Sequence, residues 1–287
     1  KRPDGLRGTL FRNGPGLVER AGQRYHHLFD GDGMVQAYAF RDDGLVHRGR
    51  FVRTRKFVGE SQQGRFLFPG FGTSARDPVP LPSPDWFNPA NTNVLAHGGR
   101  LLAMWEGGSA HELDPGTLET RGPVAWNREL KGAPFSAHPK VEPDGTLWNL
   151  GAFAGRLAIY RCTPDGRLAQ WAVVPIDGLV MNHDFVVTRR HLVLVLPAMR
   201  LDLAKVREGH SLVDSLSFPP GAPLRVVTID KEDLSLRRTY ELAPGFLFHF
   251  GNAWEDESGV IRFDYVRHEA GAGFMVDSMR ALMRDDV

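Results

Sequence analysis

The sequence predicts an all-β protein made of antiparallel hairpins in series, a propeller or a similar sheet array. Three observations carry the prediction. Pro/Asp/Gly turn phrases recur between short apolar runs. The 287 residues include 32 Gly and 20 Pro, which break the chain too often for long helices. The hairpins also follow one another without intervening helical patterns.

The elements can be justified in order. Asp43-Gly44 introduces a run over 45–52, and Asp114-Pro115-Gly116 introduces Thr117-Leu118-Glu119-Thr120. Pro143-Asp144-Gly145 precedes Thr146-Leu147-Trp148, and Pro164-Asp165-Gly166 precedes a run over 167–171. Such turns supply the positive φ that a tight hairpin needs between two apolar strands. Further strands are expected at 186–187, 192–196 and 224–230. The repeat is too irregular to count blades from. Residues 76–89 hold five prolines and predict an ordered, extended connection. Residues 201–213 carry a weak helical apolar pattern. The following Leu216-Ser217-Phe218-Pro219-Pro220 reads as a surface excursion or as an element dipping into a membrane. No linker divides the chain, so 1–287 is expected to be one domain.

Composition excludes several classes. With 35 Lys+Arg against 34 Asp+Glu the formal charge is +1, and no basic field points to nucleic acid. Cys162 is the one cysteine, which rules out a disulfide scaffold and a cysteine metal knuckle; it reads as a small apolar filler in a strand. No run approaches the ~18 apolar residues of a membrane span. The N-terminus lacks the charged-then-apolar order of a leader, so the chain reads as soluble and cytoplasmic. No phosphate loop, nucleophile elbow or His-Glu-x-x-His helix is present, which weakens hydrolase and nucleotide-binding readings.

Of the 11 histidines, three share a setting. His138 lies in Phe135-Ser136-Ala137-His138-Pro139-Lys140, His183 in Met181-Asn182-His183-Asp184-Phe185, and His249 in Phe248-His249-Phe250-Gly251-Asn252. Each is embedded among apolar or aromatic neighbours. Neutral imidazole is a common metal ligand, and ligands from separate strands can converge. Their spacing fits no compact metal motif, so each taken alone reads better as a satisfied core or edge residue. Asp30-Gly31-Asp32-Gly33 imitates the start of a calcium loop, but its later acidic positions are out of register, and a tight turn accounts for it better. Asp184 beside His183 points to the opposite face of an extended strand, which favours a structural hydrogen-bonding role over a proton shuttle.

A set of motifs in order then resembles the carotenoid cleavage oxygenase family. They are Phe11-Arg12-Asn13-Gly14-Pro15, His26-His27-Leu28-Phe29-Asp30-Gly31-Asp32-Gly33-Met34, Asn88-Pro89-Ala90-Asn91-Thr92-Asn93-Val94 and Arg100-Leu101-Leu102-Ala103-Met104-Trp105-Glu106-Gly107-Gly108. Glu112-Leu113-Asp114-Pro115, Ala137-His138-Pro139-Lys140, His183-Asp184-Phe185 and His249-Phe250-Gly251-Asn252-Ala253-Trp254-Glu255 complete the series.

The resemblance implies a seven-bladed β-propeller with loops and short helices over its top face. It also implies a non-haem Fe(II) on the axis, held by four histidines. His138, His183 and His249 match the first three, and Glu106 matches a glutamate that anchors one ligand's second ring nitrogen. The alternative for Glu106 is an exposed charge at a strand end. No match to the fourth histidine is found: His268 lacks the closing motif and reads as a surface residue. The resemblance therefore implies a chain that lacks the family's last blades. The implied reaction splits a conjugated C=C bond of a carotenoid or apocarotenoid with O2 into two aldehydes. O2 activated at the iron does the chemistry, and no separate catalytic side chain is assigned. The apolar polyene and O2 are the expected partners, with peripheral membrane contact one way of drawing out the substrate. Ala103-Met104-Trp105-Glu106 lacks the lysine that stilbene-cleaving members carry near this point, which favours the carotenoid side over a lignostilbene-type substrate. A propeller scaffold that binds an apolar ligand without turnover is the alternative from another class.

Overall fold

Antiparallel pairing dominates the computed structural model, which describes residues 5–268, 273, 277 and 281–283. Gly8–Leu17, Asp32–Arg41 and Gly44–Phe51 form a three-stranded sheet. Asn93–His97, Arg100–Met104, His111–Leu113 and Thr120–Pro123 form the second, with four strands. Lys140–Val141, Leu147–Phe153, Arg156–Cys162 and Leu168–Pro175 form the third. Val186–Val187, His191–Leu196, Leu224–Asp230 and Leu236–Leu242 form the fourth, and Phe250–Glu255 pairs with Ile261–Tyr265 in the fifth.

The sheets stack through apolar layers, and the period-two alternation of their strands explains how. In the second sheet Leu101 and Ala103 face the first, where they meet Val35 and Ala37. Leu102 and Met104, one residue out of step, face the third and meet Leu147, Ala158 and Tyr160. Likewise Leu192, Leu194 and Leu196 pack on Leu150, Leu157 and Ile159, while Val193 and Val195 pack toward Phe250 and Phe263 of the fifth sheet. A strand buried on both faces must be apolar at every position, which accounts for the unbroken run 192–196. Each such side chain contributes about 1.5–3 kcal/mol when fully buried. This is the predicted fold class, an incomplete β-propeller. Cys162 ends a buried strand as expected, and burial pushes its thiol up to about 12.

Several expectations need correction. The strand after Asp114 begins at Thr120, not at Thr117. The Asp114 carboxylate accepts the Gly116 and Thr117 N–H groups at 2.9 and 2.8 Å, and Leu118 adopts a φ of 62°, so the turn is longer than its sequence suggests. Residues 201–213 form two short helices, Leu203–Arg207 and Leu212–Ser215, broken near Gly209 at φ 93°. They span a ribbon in which Arg200–Leu201 pairs with Leu216–Ser217. His268 is half-buried, and its backbone exchanges two hydrogen bonds with Phe246. The proline-rich stretch is a connection, as expected, with one 3-10 turn at Pro84–Trp86.

One helix was not foreseen. Arg55–Gln63 begins where the Thr54 Oγ1 accepts the Phe57 N–H at 3.1 Å, and it stops at Gly64 in the left-handed region. Its buried face carries charge: Lys56 Nζ lies 2.9 Å from Asp32 Oδ1 and 3.0 Å from Glu60 Oε2 and also donates to the Tyr25 hydroxyl. Arg20 Nη2 closes the group on Asp32 Oδ2 at 2.7 Å. Burial alone would push Lys56 down, but Asp32, Tyr25 and Glu60 outweigh it and hold the ammonium above its ordinary value. Asp30, on the same stretch as Asp32, is buried and accepts from the Gly72 N–H and the Thr73 hydroxyl. Both carboxylates of the apparent calcium loop are thus committed to the protein.

Candidate metal centre

Each of the three histidines stands just ahead of the first strand of a sheet. His138 and Pro139 precede Lys140–Val141, His183 precedes Val186–Val187, and His249 precedes Phe250–Glu255. Consecutive sheets therefore deliver one imidazole each, and the donors meet. The candidate ligand nitrogens all lie within 4.8 Å of one another, and His138 Nε2 and His183 Nε2 are 3.0 Å apart. Among the described residues this is the group of His, Cys, Asp and Glu side chains suited to a metal ion, and His268 stands outside it.

Local packing sets His138. Its leading segment lies against the strand Leu147–Phe153, with the Ser136 N–H donating to Leu150 O at 2.8 Å and Asn149 Nδ2 donating to Ser136 O at 2.9 Å. Gly151 permits that approach, since a Cβ there would meet the Pro134 carbonyl oxygen at 1.9 Å. Gly151→Ala is expected to lower stability by about 1–3 kcal/mol through this overlap. It should also weaken metal uptake, because the segment that moves carries His138. Thermal unfolding and a metal titration check both, and unchanged values in the variant would refute the packing argument.

Glu106, two residues past the strand Arg100–Met104, reaches across from the second sheet to hydrogen-bond His183 Nδ1. The alternative of an exposed strand-end charge is set aside. With the Nδ1 proton directed at a carboxylate, Nε2 of His183 carries the lone pair toward His138. Burial pushes the His183 imidazolium down, but the Glu106 charge and hydrogen bond outweigh it and the net shift is upward. Glu106 shifts the other way, because the histidines outweigh the burial that would raise it. His138 falls to about 4, chiefly by burial and then by the neighbouring His183, so it is neutral near pH 7.

The wall beside the histidines is apolar. Phe248 meets the His183 ring edge-on at 4.9 Å and packs with Phe246, Met199, Met181, Leu216 and Phe218. Leu216 and Phe218, read from the sequence as a surface excursion or membrane-dipping element, are half-buried against this wall. The sequence does not single out these contacts, because ordinary core residues look the same. It did carry one usable sign: the Phe246-Leu247-Phe248 run abuts a candidate ligand.

The family model for the retinal pigment epithelial membrane protein matches residues 1–286. The chain belongs to this family, the carotenoid cleavage oxygenases. It is 33% identical over 282 residues to an apocarotenoid-15,15'-oxygenase of Synechocystis sp., covering 90% of this chain and 56% of that protein. It is 31% identical to resveratrol cleavage oxygenase 1 of Aspergillus fumigatus, covering 86% and 50%. The crystal structure of the cobalt-substituted Synechocystis oxygenase superposes with a TM-score of 0.81 at 31% identity, covering 91% of this chain and 58% of that one. The chain spans about half the length of the curated relatives it matches. The family resemblance read from the motifs is borne out, and this carotenoid cleavage oxygenase chain is an oxidoreductase-family propeller.

Proposed function

We propose that residues 1–287 form the part of a non-haem Fe(II) dioxygenase domain that carries three of its ligands, His138, His183 and His249. The domain would cleave a conjugated C=C bond of a carotenoid or apocarotenoid. The observation that carries the reading is the meeting of three imidazoles from three sheets, one of them anchored by Glu106.

The donor set fits a divalent first-row ion. Metal–nitrogen bonds of about 2.1 Å at right angles place their donors about 3.0 Å apart, which agrees with the 3.0 Å between the two Nε2 atoms. Neutral imidazoles suit iron, and among the described residues no carboxylate joins them. When bound, Fe(II) would supply O2 activation beside the double bond, in a reaction that adds both oxygen atoms and yields two carbonyl products. The chain's own part is positional. Glu106 fixes the tautomer and aim of His183, and the Phe246–Phe248 wall offers a dry surface to an apolar polyene. Trp105, next to Glu106, packs edge-on against Phe87 at 5.4 Å, and the absence of a lysine from residues 103–106 favours the carotenoid side over a stilbene. Peripheral membrane contact through the ribbon at 201–220, whose Leu203 is 54% exposed, belongs to the same reading; among the described residues no helix is long and apolar enough to cross a membrane.

A scaffold without turnover is favoured by one observation: the group counts three imidazoles among the described residues, one short of the four the family implies. Aerobic incubation of the Fe(II)-loaded full-length protein that carries this chain, with an apocarotenal and with a hydroxystilbene, separates the readings. Aldehyde products from the apocarotenal are expected. Cleavage of the stilbene alone reverses the substrate assignment, and bound iron with no product from either selects the scaffold.

A further inference from the structure

A cavity that none of the three histidines lines gathers positive charge. It holds about 430 Å3 between the strand Gln23–Arg24, the segment that follows the helix Arg55–Gln63, and residues 73–77. Arg24, Arg65, Arg76 and His26 line it against a single carboxylate, Asp77. Among the described residues Arg65 donates only to the adjacent Phe66 carbonyl, at 3.4 Å, and Arg76 and the His26 ring form no hydrogen bond or ion pair. In the sheets, by contrast, exposed arginines turn to nearby acids, as Arg237 does to Asp230 and Asp233.

The walls of this cavity are fixed. The Thr73 hydroxyl accepts the His26 N–H at 2.7 Å and donates to the buried Asp30 at 2.6 Å, and the Thr73 carbonyl accepts the Gly70 N–H at 2.8 Å. The floor is Phe66, which is buried and stacked on Tyr25 at 4.2 Å. Ser74 Oγ accepts the Ser211 N–H at 3.1 Å, which leaves its own O–H to donate. The Ala75 N–H bonds Gly209 O at 2.9 Å, so the cavity wall and the ribbon of residues 200–217 are joined.

We propose that this cavity binds a phosphate group. Guanidinium forks present paired N–H donors that match phosphate oxygens, and a doubly charged anion offsets the repulsion among the cations around it. The Ser74 hydroxyl and the Gln23 amide add neutral donors. Beside the cavity, the helix Leu203–Arg207 exposes Leu203 and carries Lys205 and Arg207 in its last turn. An apolar side chain next to a phosphate seat suits a lipid with a phosphate headgroup, whereas a soluble phosphate would use the seat alone. The seat is independent of the metal; only its use for a lipid rests on the membrane contact proposed above.

The test uses the full-length protein that carries this chain, titrated with inorganic phosphate in a calorimeter and sedimented with vesicles of phosphatidylcholine, with and without phosphatidic acid. Binding to both phosphate and phosphatidic acid is expected. Arg65→Gln combined with Arg76→Gln should lower vesicle affinity about fivefold for each arginine removed and weaken phosphate in parallel. Arg65→Lys combined with Arg76→Lys keeps the charge but loses the forks, and it should still weaken phosphate. A preference for phosphatidic acid that the glutamine variant loses assigns the seat to a lipid headgroup. Phosphate binding that the variant loses, with no such preference, assigns it to a soluble phosphate. No binding of either, or binding unchanged in the glutamine variant, would overturn the proposal. Vesicle binding lost in Leu203→Ser but kept in the glutamine variant removes the phosphate seat and leaves the membrane reading standing.

Discussion

His183→Ala is expected to bring bound iron close to zero in a chain that still folds. Its Nε2 lies 3.0 Å from that of His138, and its ring is 4.9 Å from that of His249, so it touches both other donors. Removing it leaves two imidazoles and strands the Glu106 carboxylate without its partner. The ring is 12% exposed and the Glu106 carboxylate loses its partner, so a moderate loss of stability should accompany the loss of metal. Anaerobic loading with Fe(II) followed by metal analysis reads the outcome, with about one iron per chain expected for the unaltered protein. Glu106→Gln is the graded companion. It keeps the ligand but loses the charge that sets its tautomer, and an affinity loss of about 10–100-fold is expected. Full iron retention in His183→Ala would mean that other donors hold the ion.

Lys56→Met should produce the largest loss of stability. The ammonium is 2% exposed and stands between Asp32 and Glu60, themselves 1% and 0% exposed at their side chains. Two buried cations face two buried carboxylates, since Arg20 also pairs with Asp32 and lies 3.7 Å from Glu60. Methionine fills the volume but leaves one carboxylate uncompensated, which costs about 3–5 kcal/mol. That is a large share of the 5–15 kcal/mol typical of a folded domain. Adding Glu60→Gln to Lys56→Met should recover part of the loss, because the remaining charges then balance. Urea unfolding of both variants measures it, and a double variant no better than the single one would argue against charge as the cause.

The buried charges also explain why the helix Arg55–Gln63 left no trace in the sequence. Its inward positions are Lys56 and Glu60, four apart, so the apolar stripe that announces a helix is replaced by an ion pair. The strands were legible for the opposite reason: Leu192 to Leu196 are apolar at every position because both faces are covered. Blades could not be counted, and the turns show why. The phrase at 143–145 joins the first and second strands of its sheet, whereas those at 114–116 and 164–166 join the third and fourth. One turn chemistry serves two places in the blade, so its recurrence has no fixed period. At the candidate metal centre, the motifs singled out His138, His183, His249 and Glu106, and the structure brings these four side chains together. Asp184, read as a structural hydrogen-bonding group, accepts the Phe185 and Phe250 N–H groups, and no local pattern records the second, which lies 66 positions away.

The apolar layers between the sheets also act as spacers for the imidazoles. His138 and His183 belong to sheets separated by the Leu150–Leu157–Ile159 and Leu192–Leu194–Leu196 contact, and His183 and His249 to sheets separated by Val193, Val195 and Phe263. The thickness of each layer is a length, about 10 Å between sheets, and the distance between donors depends on it. A methyl group lost or gained deep in a layer can therefore retune the bite of the site without touching a ligand. In this architecture, the spacing of the three imidazoles is written partly in the sizes of aliphatic side chains.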